Sequence, residues 1–206
     1  MSRPSRPGRY PTGRTTHPAP RLTFRPLTPA RWKDLTRLFG PRGATAGCWC
    51  MYWRRHRSEY LAGQGSSNRR AFRRIVAAGE VPGILAYDRG EPIAWCALAP
   101  RSAYPVLANS RVLAPVDDRP VWSVPCLFVR RDYRRLGVTP PLLRAAAGHV
   151  RRRGGRLLEG YPVDPKDGRI AAAFAWTGLA SAFRQAGFRE IARRSATRPI
   201  MRRRTA

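Results

Sequence analysis

Phe128-Val129-Arg130-Arg131-Asp132-Tyr133-Arg134-Arg135-Leu136-Gly137-Val138-Thr139 is the stretch on which the reading of this chain turns. An apolar run ends at Val129, and a helical stripe of Val138, Leu142, Leu143, Ala146, Ala147 and Val150 follows. The segment between them is therefore a strand-to-helix loop. Amides at a helix start have no partner within the helix, and the helix dipole adds positive potential there. Gly137 lets the backbone approach an anion closely, and the arginines add charge-assisted bonds. Pro140 and Pro141 carry no N–H, so the available donors are the amides of Arg135, Leu136, Gly137, Val138 and Thr139. That compact set suits one pyrophosphate. The same spacing also fits a plain turn with solvated arginines. Thr139 is expected to cap the helix ahead of Pro140.

Upstream, Val121 to Val129 is apolar almost throughout, which predicts a strand buried on both faces in mid-sheet. Pro125 has no N–H and does not belong in an unbroken central ladder. A bulge or a splayed gap at Pro125 reconciles the two facts, and a splayed strand offers backbone groups to a ligand. Further upstream, Gly83–Tyr87 and Pro92–Leu98 read as strands flanking a hairpin turn at Asp88-Arg89-Gly90-Glu91. A first strand at Leu22–Arg25 leads into a helix opened by Thr28-Pro29, and a second helix is predicted from Asn68 to Ala78. Downstream lie a strand at Leu157–Tyr161, a helix around Ala180–Gln185 and a closing strand pair. The order predicts one α/β domain built on a mixed sheet with flanking helices.

The chain has 206 residues, of which 43% are hydrophobic and 10% aromatic, enough for a real core and against wholesale disorder. No run approaches the roughly 18 apolar residues of a membrane span, so no membrane partner is expected. The formal charge of +28 would suggest nucleic acid, but Lys33 and Lys166 are the only lysines among 40 basic residues. So lopsided a ratio, with abundant Ala, Gly and Pro, reads as the coding bias of a GC-rich genome. The charge is then background, and a basic nucleic-acid binder is the lesser alternative. Residues 1–20 hold little to bury and are expected to be a disordered Arg/Pro-rich tail ahead of a domain over residues 21–206. They lack the apolar core of a signal peptide, and Cys48, Cys50, Cys96 and Cys126 do not form a secreted disulfide framework. A cytoplasmic location is the expectation.

Arg134-x-x-Gly137-x-Thr139 after an apolar strand, followed by Leu142-Leu143, resembles the acetyl-CoA motif of GNAT-type N-acetyltransferases. Thr139 departs from the usual Gly or Ala. The late Ala182-Phe183-Arg184-Gln185-Ala186-Gly187-Phe188 is similar to that family's helix-then-GF ending. Gly47–Arg54 and Glu159–Asp164 look like a bacterial subgroup of it. The resemblance implies a mostly antiparallel sheet with a splayed central strand, and direct acetyl transfer from acetyl-CoA to an amine acceptor of unspecified identity. It implies that backbone groups of Leu127, Phe128 and Val129 pair with the pantetheine arm, with an N–H near Phe128 or Val129 polarising the thioester. Arg134, Arg135, Leu136, Gly137, Val138 and Thr139 would hold the pyrophosphate. No metal is called for, and a monomer or homodimer is expected. The tyrosine that many relatives use as general acid is Phe183 here, which leaves a non-catalytic acyl-CoA binder as an alternative.

Two catalytic candidates follow. Glu159, a scarce carboxylate beside the splayed strand, is a candidate base for the acceptor ammonium, against the commoner outcome of an arginine ion pair. Tyr161 is a candidate for the missing acid, against a half-buried structural tyrosine. Trp49 and Tyr52, with Trp53, are candidates to line the acceptor pocket, against plain packing. Cys126 reads as an inert core thiol, His149 as solvated, and Asp117-Asp118 as a turn that could also face a cationic acceptor. Cys48-x-Cys50 with His56 lacks the second ligand pair of a zinc site.

Overall fold

Pro125 divides the apolar run into two short strands that belong to different sheets. The structure is a computed structural model that describes residues 19–165, 170–171 and 174–205. The tail expected over residues 1–20 thus falls almost wholly outside the described residues.

In chain order the strands are β1 (Leu22–Pro26), β2 (Gly83–Asp88), β3 (Glu91–Ala97), β4 (Ala99–Pro100) and β5 (Trp122–Val124). β6 (Leu127–Val129), β7 (Leu157–Gly160), β8 (Arg189–Arg193) and β9 (Pro199–Arg204) follow. The helices are α1 (Trp32–Phe39), α2 (Arg57–Ala62), α3 (Ser66–Ala77), α4 (Pro105–Ala108), α5 (Thr139–Arg152) and α6 (Ala180–Gln185). One sheet has the order β1-β2-β3-β6 and is antiparallel throughout. The other has the order β4-β5-β7-β9-β8, with β5 and β7 its only parallel pair. The fold class is the expected one, a mixed and mostly antiparallel α/β domain with a splayed central strand.

Strand alternation explains why β2 and β3 are buried on both faces. Ile84, Ala86 and Cys96 face the core built by α5, while Leu85, Tyr87, Trp95 and Ala97 face α1 and α3. The hairpin between them is tight because Arg89 (φ 49°) and Gly90 (φ 85°) both adopt left-handed backbone. That is the twist a two-residue turn needs. α2, α4 and β4 were not legible, being short and without strong periodicity.

The parallel ladder pairs Trp122 with Leu158, Ser123 with Glu159 and Val124 with Gly160. Beyond Val124 the strands diverge, because β6 leaves to pair with β3. The expected gap at Pro125 is therefore present. His149 departs from expectation: it is buried, and its Nε2 has no partner among the described residues. α5 turns that residue under the Trp122 ring, and burial, then Arg152 and Arg153, lower its imidazole pKa.

Phe183 is fully buried against Phe188, with ring centroids 4.9 Å apart, and packs over Gly160. A methyl at position 160 would overlap the Phe183 ring. Gly160→Ala should therefore cost about 1–3 kcal/mol of stability through overpacking. Thermal unfolding checks this, and Phe183→Leu in the same chain should recover part of the loss.

Candidate functional site

The loop after β6 has a backbone suited to cradling an anion. Arg135 (φ 66°) and Gly137 (φ 72°) both sit in the left-handed region, and this alternation turns successive N–H groups toward one side. Among the described residues, none of the amides from Arg135 to Thr139 donates to a protein acceptor. The expected cap is absent. Thr139 is the first helical residue, Val138 precedes it in helical conformation, and no side chain caps α5. The helix starts one residue early because the Gly137 turn delivers Val138 already wound. A methyl on Gly137 would meet no protein atom within 4 Å, so the cradle opens outward. Arg134 and Arg135 are exposed at its rim, while Leu136 and Val138 pack on the α5 core. The preceding turn is anchored by Tyr133, whose hydroxyl donates to Asp88 Oδ2 at 3.0 Å, and by the Arg130–Asp132 ion pair at 2.8 Å.

The edge of β6 facing the gap is set by register. Ala97 N–H donates to Cys126 and Arg130 N–H to Ile93, so Phe128 is the paired residue between them and turns its own amide to β3. Leu127 and Val129 present theirs to the gap. The Leu127 amide is already given to the Trp176 carbonyl at 2.7 Å. Val129 keeps an amide that no acceptor among the described residues uses, while its carbonyl accepts from Arg134 Nε at 3.1 Å. Of the expected pair Phe128 and Val129, Val129 is the one that can address a ligand in the gap.

Glu159 and Tyr161 do come together, but inside an ion-pair network. Glu159 is 1% exposed, and both its oxygens are engaged. Oε1 accepts from Arg101 Nη1 at 2.9 Å and from the Tyr161 hydroxyl at 2.8 Å. Oε2 accepts from Arg202 Nε at 3.0 Å and Nη2 at 2.7 Å. Arg202 continues to Asp117, and Arg101 also reaches the carbonyls of Leu107 and Leu113. A carboxylate so fully paired has no oxygen left for a substrate proton. Tyr161 is fully buried, and burial together with the Glu159 charge pushes its pKa up, which suits a fixed donor and not an acid. Asp117 is likewise an arginine partner, with its carboxyl held well below the usual range by Arg202 and Arg119.

The aromatic segment splits. Trp49 is buried, stacked on Trp32 at 6.1 Å and beside Phe39 at 5.8 Å, so packing claims it. Tyr52 remains exposed, with its ring 4.9 Å from Trp53 and 5.2 Å from Trp176. Trp53 Nε1 donates to the Pro125 carbonyl at 3.0 Å, fastening this cluster to the strand break. Cys50 accepts from Trp95 Nε1 at 3.0 Å and from the Cys126 thiol, and the Cys126 pKa is raised by that bond and by burial. Cys126 is half-buried at the break and packs against two of the buried clusters, as an unreactive thiol would. Trp176 and Arg198 were missed in the sequence; the one available signal was the Trp176-Thr177-Gly178 step just before α6.

No protein-family model matches the chain, and no curated protein matches it in sequence. Solved structures do match. A GNAT-family acetyltransferase from Listeria monocytogenes superposes with TM-score 0.54 at 7% identity, over 89% of this chain and 94% of its own. One from Streptococcus agalactiae gives 0.52 at 11%, over 89% and 95%. yncA from Salmonella typhimurium, solved with its cofactor acetyl-CoA, gives 0.50 at 13%, over 90% and 94%. At such identities the likeness is one of fold, and the fold of this chain is that of the GNAT acetyltransferases.

Proposed function

We propose that this chain is an acetyl-CoA-dependent N-acetyltransferase that passes acetyl directly to an amine. The observation that carries the reading is the set of unengaged amides from Arg135 to Thr139 at an uncapped helix start beside parted strands. A pyrophosphate fits those donors, with Arg134 and Arg135 adding charge at the rim. The Val129 amide would orient the pantetheine arm or its thioester carbonyl. Acetyl-CoA supplies the activated acyl group. The chain's part is to bind, to orient and to admit the amine from the face that carries Tyr52 and Trp53, opposite α5. Glu159 and Tyr161 hold β7 and β9 in place and take no proton from the acceptor. The amine must enter already deprotonated or lose its proton to solvent.

A second reading, acyl-CoA binding without turnover, is favoured by one specific contact. The Trp176 carbonyl already occupies the Leu127 amide, a donor on the very edge where an acyl group would lie. Release of coenzyme A thiol in the presence of an amine panel separates the two readings.

Gly137→Val should weaken acetyl-CoA at least about tenfold in a folded protein, since a β-branched residue is disfavoured at positive φ and its bulk stands where the anion would approach. Calorimetry showing native affinity in a folded variant would remove the loop from the site. Glu159→Gln should lower stability by about 3 kcal/mol, because it leaves Arg101 and Arg202 without their buried counter-charge. Acetyl-CoA affinity of the folded variant should be unchanged. A variant with native stability but abolished turnover would restore Glu159 as a base.

A further inference from the structure

The acceptor side of the gap has a charge pattern that selects among amines. Trp176 is joined by its carbonyl to Leu127 on the splayed strand, and its ring lies 5.6 Å from Trp53 and 5.2 Å from Tyr52. Tyr60 extends the cluster, 5.4 Å from Tyr52, and burial raises its phenol to about 12, so it stays neutral. The next residue, Thr177, accepts a hydrogen bond from Arg198 Nη1 at 3.0 Å. Arg198 stands just before β9, three residues past the Gly160–Met201 pair that ends the β7–β9 ladder. It is half-buried, and burial lowers its pKa while Tyr52 alone opposes the shift. Arg54 lies on the same side, stacked 4.6 Å over Tyr104 and donating to its hydroxyl at 3.4 Å.

Among the described residues, no carboxylate forms an ion pair with either arginine. With 40 basic and only 12 acidic residues, many arginines have no carboxylate to pair with, and Arg198 differs from the exposed ones in being half-buried. A half-buried guanidinium that gives up hydration, with one bond to Thr177 and the rest of its N–H fork unused among the described residues, is arranged to receive an anion. The basic groove at the other end of the sheet differs: there Arg144 and Arg203 donate to the closing carbonyls of α6, Gln185 and Ala186, and so already serve the helix end.

We infer that the acceptor amine also carries a carboxylate, bound by Arg198, and an apolar or aromatic body laid against Tyr52 and Trp176. The pattern is that of an aromatic α-amino acid, and it disfavours polycationic amines. The inference rests on the N-acetyltransferase reading above for the identity of the reacting group, but the recognition itself is a binding property.

The test therefore reads binding and turnover separately. Phenylalanine and 2-phenylethylamine differ by the carboxylate, and their N-acetyl products differ in the same way. Quenching of tryptophan fluorescence in the presence of coenzyme A should give N-acetylphenylalanine at least tenfold tighter binding than N-acetyl-2-phenylethylamine. A charge-assisted bidentate contact supports a preference of roughly tenfold to a hundredfold. kcat/KM for the two amines should differ in the same sense. Arg198→Ala should abolish the preference by raising KM for phenylalanine, with acetyl-CoA affinity unchanged, and Arg198→Lys should restore part of it. Equal use and equal binding of the two compounds would overturn the inference, as would an Arg198→Ala variant that loses stability but keeps the preference. Failure of acetyl-CoA to bind would instead overturn the acetyltransferase reading, and calorimetry with acetyl-CoA alone reports that outcome.

Discussion

A missing hydrogen sets the architecture. Pro125 cannot donate to a neighbouring strand, so the apolar run Val121–Val129 cannot continue one ladder through its full length. Its first half pairs with β7 and its second with β3, and the two sheets separate between them. The proposed acyl-CoA site is arranged around that separation. On the α5 side the chain emerges into the glycine loop, and on the opposite side Trp53 holds the Pro125 carbonyl and fixes the aromatic cluster over the break.

The two faces are stabilised by different physics. The α5 face is an apolar core in which Leu142, Leu143, Ala146 and Val150 meet Ile84, Cys96 and Leu158. The other face of β7 is held by charge: Glu159 is clamped by Arg101 and Arg202, with Tyr161 and Ser123 completing the hydrogen bonds. Buried ions are tolerated only when each is fully paired, and here each is. That requirement is why a carboxylate close to the gap is unavailable for chemistry. The same economy of acids leaves Arg54 and Arg198 without carboxylate partners among the described residues.

Much of this was legible in the chain itself. The Pro125 conflict, the glycine loop, the hairpin turn at Arg89-Gly90 and α6 are local properties, and sequence carries local properties well. What was not legible depends on contacts far apart in sequence. Whether Glu159 is a base or an ion-pair partner is decided by Arg101 and Arg202, 58 and 43 residues away. Trp49 and Tyr52 are three positions apart, yet one is in the core and one at the surface, because the left-handed backbone at Trp49 and Cys50 turns the segment over. His149 looked solvated because its neighbours are arginines, whereas the face of α5 on which it falls packs on Trp122. Thr139 failed as a cap through a one-residue shift in the helix start, the level at which sequence reading is weakest.

The central claim is that the parted strands and the loop after them form one acyl-CoA site. An amide-resolved NMR titration with acetyl-CoA tests it most directly, because the claim names the groups that must respond. The account predicts that the amides of Arg135 to Thr139 and of Val129 shift together and saturate at one stoichiometry, while the Phe128 amide, turned into the β3 ladder, moves least along that strand. Shifts confined to arginine-rich surfaces away from the loop, or no saturable shift at these amides, would contradict it.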